Sequence, residues 1–265
     1  MPIKISSRFA FELDQATDVL LQFEAAALPE QQVVSDRLTM SEAEAMARVP
    51  AQDNIGTRIW LRAQGFFSVE YEAQVAIDRA VPDLASLAEV PPHKLPGEAV
   101  QYLPSSRYCR ADQFQHFVGA QFGASSGGDR IAAICDWVRQ SFSYTPGAST
   151  VSTDASESFI TRQGICRDYA HMVITLARAS TIPARYVACY APGVSPQDFH
   201  AVAEVFLADP ANPGGGAWQL IDATGMADPQ QTVKIGHGRD AADVSFLTSF
   251  GPNRFLSSAV DVQQV

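Results

Sequence analysis

The residues that decide the fold are 162–190, RQGICRDYAHMVITLARASTIPARYVACY. Apolar side chains recur at helical spacing from Cys166 to about Ser180, which predicts a helix with one buried face. A strand-like run follows at 184–191, and two more come later, HAVAEVFLA at 200–208 and AWQLIDATG at 217–225. The segment therefore predicts a helix packed against a sheet.

The chain on the amino-terminal side of this segment changes its hydrophobic period. Residues 1–80 alternate with period two, both in the first strand-like run and in TRIWLRAQ (57–64) and FFSVEYEAQVAI (66–77). Prolines 82, 91, 92 and 96 predict an extended linker at 81–98, since proline fits neither a helix interior nor a central strand. The predicted class is α+β: an all-β, sandwich-like domain at 1–80, the linker, and an α+β domain at 99–265.

Composition and charge exclude several classes of function. The net charge is -10, with no cluster of Lys and Arg, so the basic surface that nucleic acid or an anionic membrane requires is missing. No stretch reaches the roughly 20 apolar residues of a membrane helix, and the first residues lack the apolar run of a signal peptide. We therefore expect a cytoplasmic protein that binds neither nucleic acid nor membranes.

The four cysteines, at 109, 135, 166 and 189, contain no C-x-x-C pair. This spacing argues against a disulfide framework and against a structural zinc site, so reduced thiols are expected. No residue cluster is spaced for a metal, and we expect no metal or organic cofactor.

Cys166 lies where a polar loop gives way to the predicted helix. The unpaired amides and the positive dipole end of a helix start stabilise a thiolate, which is the nucleophilic form of cysteine. The backbone N–H of Cys166 could also donate to an oxyanion that forms beside the sulfur.

The two later strand-like runs could bring a histidine and a carboxylate together. If they form a hairpin in which Glu204 faces Trp218, His200 faces Asp222 on the same side. Directly opposed side chains have Cβ atoms about 5 Å apart, so the carboxylate could fix the imidazole tautomer. Taken singly, Cys166 could be a buried core residue, His200 a strand-edge histidine and Asp222 a turn residue; only their combination favours thiol chemistry.

Three blocks closely resemble the core of the bacterial transglutaminase-like family, whose members are often described as candidate cysteine proteases. They are residues 162–190, DFHAVAEVFL at 198–207 and WQLIDATG at 218–225. The first 80 residues resemble, more diffusely, the region that commonly precedes this domain. The resemblance implies a papain-like α+β core in which Cys166 is the nucleophile, His200 the general base and acid, and Asp222 the orienting carboxylate.

The resemblance implies hydrolysis of a peptide or amide bond in a peptide or protein substrate, through an acyl-thioester on Cys166. One alternative is protein-glutamine acyl transfer to an amine, as in transglutaminases, which uses the same three residues. The other is a binding module that keeps the fold without turnover. The family usually has Trp in a His-Ala-Trp motif where this chain has Val202, so Val202 is expected to shape the substrate pocket.

Further residues near these blocks are candidates for smaller roles. Tyr144, in preference to the core residue Trp137, is expected to donate a hydrogen bond to the oxyanion. The loop GHGRDAADVSF, residues 236–246, is expected to fold over the site, with Arg239 and Asp240 contacting substrate, although an ordinary surface loop is an equal alternative. Arg167, Asp168 and His171 are expected to support the structure, although the charged pair Arg167 and Asp168 could instead contact substrate.

Overall fold

The computed structural model describes residues 2–265 and contains twelve β-strands and five α-helices. The strands are β1 (Ile3–Leu21), β2 (Gln31–Met40), β3 (Ala45–Pro50), β4 (Thr57–Ile77), β5 (Ser143–Tyr144), β6 (Gln163–Gly164), β7 (Ala184–Tyr190), β8 (His200–Ala208), β9 (Gly216–Ile221), β10 (Val233–Gly238), β11 (Leu247–Ser249) and β12 (Arg254–Gln264). The helices are α1 (Gly97–Val100), α2 (Gln115–Phe122), α3 (Gly127–Ser141), α4 (Ala155–Thr161) and α5 (Cys166–Ala179). The predicted α+β class is confirmed.

The amino-terminal part is a six-stranded antiparallel sheet built around two long strands, β1 and β4. Their side chains alternate between buried and exposed, as the period-two pattern predicts, and one core holds the buried residues of both strands. The sequence suggested two strands over 57–77, whereas β4 is one strand that passes through Gly65 at φ +77. Glycine takes this backbone conformation without strain, so β4 can change direction there without ending.

The carboxyl-terminal segment returns to this first sheet. Strands β11 and β12 both pair with β1, and Val260 and Val262 of β12 enter the core of the amino-terminal sheet. The boundary predicted from sequence, with 99–265 as one unit, therefore differs from the structure at its end. A period-two pattern identifies a strand but not its partner, and this partner lies more than 200 residues earlier along the chain.

The proline-rich segment 81–98 has little regular structure, but part of it is packed. It carries two short 3₁₀ turns, at Leu84–Ser86 and Pro92–Lys94. The N–H of Gly128, at the start of α3, donates to the carbonyl of Leu87 at 2.7 Å, and the backbone of Leu84 leaves no room for a Cβ on Gly128. The predicted linker is thus anchored to α3 over part of its length.

The second large sheet has the strand order β10-β7-β8-β9 and is antiparallel throughout. Helix α5 packs on β7 and β8, and ten of its residues from Asp168 to Ala177 are buried. Helices α3 and α4 lie beside α5 and complete the core on that side. None of the helices in residues 2–265 is long and apolar enough to span a membrane.

Candidate active site

Cys166 is the first residue of α5, and the residues around it define where the helix begins. The carboxylate of Asp168 accepts the N–H of Ile165 at 2.8 Å and the hydroxyl of Ser149 at 2.6 Å. Because this capping bond satisfies an amide that precedes the first turn, the helix starts at Cys166. These contacts of Asp168 are structural, as the sequence predicted. Cys166 is 9% exposed and lines a cleft.

His200 and Asp222 lie next to each other at the ends of β8 and β9. Nε2 of His200 donates to Oδ2 of Asp222 at 3.1 Å, and both side chains are almost fully buried. Asp222 also accepts the backbone N–H groups of Thr224, Met226 and Ala227 at 2.7–3.0 Å. The carboxylate is therefore held by the turn that follows β9.

The hairpin register differs by two residues from the one expected. The structure pairs Glu204 with Leu220 and Phe206 with Trp218, where the sequence suggested Glu204 with Trp218. Extended to the strand ends, the observed register places His200 opposite Thr224, so Asp222 is its diagonal neighbour. A shift of two residues keeps every side chain on its original face, which is why the His–Asp contact still forms.

The environment of His200 favours its protonated form. Burial by itself lowers the pKa of His200, but the hydrogen bond to Asp222 and the adjacent Cys166 thiol outweigh burial and raise the pKa to about 9. For Asp222, burial alone would raise the pKa. The hydrogen bond to His200 is the largest of the opposing contributions, and the pKa of Asp222 lies below its usual value. Nδ1 of His200 has no hydrogen-bond partner in residues 2–265, and Cys166 is, after Asp222, the neighbouring side chain that raises the pKa of His200. The imidazole thus lies between a carboxylate and a thiol.

Tyr144 lies close to Cys166 because β5 and β6 form a short parallel pair. Tyr144 pairs with Gly164, two residues before the cysteine. Burial, followed by the charge of a Cys166 thiolate, raises the pKa of Tyr144 to about 12, so its hydroxyl keeps its proton at neutral pH. Tyr144 interacts with Cys166 but does not line the cleft.

The cleft at Cys166 has a volume of about 370 Å³, and aromatic side chains form part of its wall. Phe199 and Phe246 stack with ring centroids 4.6 Å apart, and Phe255 packs edge-on against Phe246. Phe255 and Ser258 belong to β12, so a strand of the amino-terminal sheet forms one side of the cleft. The sequence contained no local signal for this contribution.

Three residues expected to contact substrate lie elsewhere. Val202 is buried beside Val187 and Cys189, and Arg239 pairs with Asp243 on the surface. The buried carboxylate of Asp240 accepts the N–H of Tyr108 at 2.9 Å and so fixes the backbone at Tyr108. The loop 236–246 does reach the cleft, but through four other residues: Ala241, Val244, Ser245 and Phe246.

His171 and Arg167 both make structural contacts, and Arg167 also lines the cleft. Nε2 of His171 accepts the N–H of Ala241 at 3.1 Å, and its ring stacks on Tyr108. Burial lowers the pKa of His171 to about 3, which keeps the ring neutral. Nη2 of Arg167 donates to the carbonyl of Thr150 at 2.6 Å, tying the polar loop to the helix start. In residues 2–265 no three His, Cys, Asp or Glu side chains are grouped for a metal ion.

Comparison with known proteins identifies a related sequence family and a similar fold. Residues 116–223 match the family model of the transglutaminase-like superfamily. A crystal structure from Cytophaga hutchinsonii, described as a "Putative Cysteine Protease", superposes with a TM-score of 0.90 at 29% identity, covering 99% of this chain and 90% of that one. The family-model match and the structural likeness support a transglutaminase-like domain in the part of the chain that carries Cys166, His200 and Asp222.

Mycobacterial relatives match a shorter region. An uncharacterized protein of Mycobacterium tuberculosis, Rv2569c, is 33% identical over 132 residues, which is 46% of this chain and 41% of that protein. An uncharacterized protein of Mycobacterium leprae, ML0607, is 27% identical over 125 residues, 44% of this chain and 42% of that protein. The match thus spans about two fifths of the length of each relative.

Proposed function

We propose that this protein hydrolyses a peptide or amide bond through an acyl-thioester on Cys166. The observation that carries the proposal is the position of His200, whose Nε2 donates to Asp222, whose Nδ1 has no hydrogen-bond partner, and which lines the same cleft as Cys166. An oriented imidazole beside a thiol at a helix start is the arrangement that thiol acyl transfer requires. The likeness to the Cytophaga hutchinsonii structure supports the same reaction class.

In the first half of the proposed reaction, the Cys166 thiolate attacks the carbonyl carbon and forms a C–S bond. The raised pKa of His200, about 9, supports an imidazolium at neutral pH that can give its proton to the leaving amine. The C–N bond then breaks and leaves the acyl group on sulfur. The backbone N–H of Cys166 and the hydroxyl of Tyr144 are the proposed donors to the oxyanion.

In the second half, neutral His200 removes a proton from water, and the resulting hydroxide attacks the thioester. The C–S bond breaks, the carboxylic acid leaves, and the thiolate and imidazolium are restored. Asp222 keeps the imidazole in one orientation throughout and stabilises its positive charge.

The test is incubation with a glutamine-containing peptide library, with and without a primary amine, followed by mass spectrometry. Peptide cleavage or deamidation by the wild type, lost in Cys166→Ala, is the expected result. Cys109→Ala is the matched control, because Cys109 is a buried thiol away from the cleft and its loss should leave turnover intact. Incorporation of the amine would replace hydrolysis with acyl transfer, and unchanged turnover in Cys166→Ala would exclude the thiol mechanism.

A cytoplasmic location is part of the proposal. All four cysteines carry free thiols, and the proposed nucleophile must stay reduced, as the cytoplasm keeps it. Cell fractionation with an antibody against the protein checks this, and recovery from an exported fraction would contradict it.

A further inference from the structure

One edge of the amino-terminal sheet borders the cleft at Cys166. Strand β12 pairs with β1 on one side and has no strand on its other side within residues 2–265. Two residues of β12, Phe255 and Ser258, line the cleft together with Cys166 and His200. An unpaired strand edge therefore lies beside the candidate catalytic residues.

The register of β12 shows which of its backbone groups point away from β1. In an antiparallel pair, successive residues turn their N–H and C=O alternately towards and away from the neighbouring strand. The backbone of Val262 points away, because its N–H donates to Oε1 of Gln197 at 3.1 Å and its carbonyl accepts from Nε2 of Gln197 at 3.5 Å. The register is unbroken from Val262 back to Ser257. The backbone groups of Val260 and Ser258 therefore also point away from β1.

A register shift at Leu256, typical of a β-bulge, extends this orientation to Phe255. Ser258 lies opposite Phe9 of β1 and Phe255 lies opposite Phe11, so two steps along β1 correspond to three along β12. Phe9 turns its backbone groups towards β4, because Ser258 opposite it points away. Phe11 does the same, since β1 keeps its register with β4 between Phe9 and Phe11. The backbone groups of Phe255 thus point outward, as those of Ser258 do.

We call the outward N–H and C=O groups of Phe255 and Ser258 the free edge of β12. These groups make no hydrogen bond to other parts of residues 2–265. Phe255 is 44% exposed, and Ser258 is exposed as well. The segment 255–260, FLSSAV, contains neither a charge nor a proline, which are features that protect exposed strands from pairing with another chain. The free edge is therefore open to a partner strand.

The side chain of Gln197 already pairs with this edge of β12 in the way that a peptide group would. Its amide binds the N–H and the C=O of Val262, which is the pair of contacts that the backbone of an added strand makes. Gln197 lies three residues before His200, so this contact holds the segment that leads into β8 against β12. Further along the same edge, at Ser258 and Phe255, the cleft lies where such a group would be.

We propose that the substrate of Cys166 is a peptide segment that binds in an extended conformation and adds a strand to β12. Its backbone pairs with the free edge at Ser258 and Phe255, which holds the segment beside the thiol. Pairing of this kind draws its affinity from main-chain hydrogen bonds, so it selects extended peptides over small amides. The inference rests on the proposed function, because it concerns the substrate of that reaction.

The first test uses the wild-type protein and a peptide that it turns over in the library assay. Each backbone amide of the peptide, other than one that is broken, is N-methylated in turn, and kcat and KM are measured. Two amides that lie two residues apart should be sensitive and the amide between them insensitive, because alternate residues of an added strand face β12. At the sensitive positions KM should rise about fivefold or more, as loss of one hydrogen bond predicts, with little change in kcat.

A substitution then locates the pairing on β12. Ser258→Pro removes an outward N–H but leaves the bonds of Ser257 and Ala259 to β1, so KM should rise about fivefold or more while the melting temperature stays close to that of the wild type. Asp36→Pro is the matched control and should leave KM unchanged. Asp36 is exposed on β2, the opposite edge of the same sheet, and its N–H also points outward, because Ala73 opposite it faces β1. If Ser258→Pro does not fold, the methylation pattern decides.

The outcomes separate this inference from the proposed function. Turnover that depends on Cys166 but shows no alternating sensitivity to methylation would overturn the inference and leave the proposed function standing. A folded Ser258→Pro variant with the KM of the wild type would do the same. Absence of any peptide turnover that depends on Cys166 would refute the proposed function, and the inference with it.

Discussion

The substitution Asp222→Asn tests the central contact of the candidate site. The pKa of His200 is raised from 6.5 to about 9, which corresponds to about 3 kcal/mol of preference for the imidazolium at roughly 1.4 kcal/mol per pKa unit. The hydrogen bond to Asp222 is the largest contribution that raises this pKa. Asparagine keeps an acceptor oxygen for the turn but removes the negative charge, so the pKa of His200 should fall by at least about one unit.

The direction of the pH effect follows from the raised pKa. In the wild type the imidazolium stabilises the folded protein fully below pH 6.5, and this contribution is lost as the pH rises through about 9. The alkaline limb of the rate profile should lie in the same range, because the imidazolium is the proposed proton donor. In Asp222→Asn both the loss of stability and the alkaline limb should move to lower pH.

Nuclear magnetic resonance titration of the histidine rings measures the shift directly, with the His200 signal identified by its absence in His200→Asn. Asp228→Asn is the matched control, because Asp228 follows in the same loop and its hydrogen bonds are to Gln230, Gln231 and Thr232. An unchanged His200 titration in Asp222→Asn, or a wild-type pKa at or below 6.5, would refute the reasoning.

Three further predictions concern the thiol, the oxyanion donor and the buried charges. Iodoacetamide should label Cys166 first, because burial raises the pKa of the three other thiols; peptide mapping that finds another cysteine labelled first would contradict this. Tyr144→Phe should lower kcat about 10²-fold with little change in KM, as loss of one oxyanion donor does; an unchanged kcat on a verified substrate would remove Tyr144 from the proposed mechanism. Glu204→Gln should lower the free energy of unfolding by about 3–5 kcal/mol in urea melts, because Arg185 and Lys234 lose their shared buried partner. The exposed control Glu72→Gln should change it by less than about 0.5 kcal/mol, and an equally small effect in Glu204→Gln would show that the buried pairs are not coupled to folding.

The order of elements around Cys166 could be predicted because local patterns specify it. The helical period from Cys166 and the polar loop before it locate the start of α5, and the structure begins the helix at that residue. The same patterns indicated β7, β8 and β9. The predicted hairpin register was wrong by two residues, because the loop ends with Gly214 and Gly215 directly before Gly216 of β9, and consecutive glycines do not determine a single turn geometry.

The surroundings of the thiol could not be predicted in the same way. Val202 follows His200 by two residues, yet it faces a small apolar cluster, whereas Phe255 comes from a strand near the chain end and lines the cleft. Residues that are neighbours in space need not be near each other in sequence. The surroundings of Arg79, which include Glu30, Pro229 and Thr232, are likewise visible only in the folded chain.

The sequence by itself determined the α+β class, the alternation of β1 and β4, and the start of the helix that carries Cys166, since each depends on periodicity and capping within a short segment. Tertiary structure alone decided that β12 pairs with β1 and borders the cleft, that His200 meets Asp222 diagonally, and that three buried cations share a pocket with two carboxylates. These features depend on long-range pairing and on the burial of charge. Both arise when distant segments pack together, and neither leaves a periodic signal in the chain.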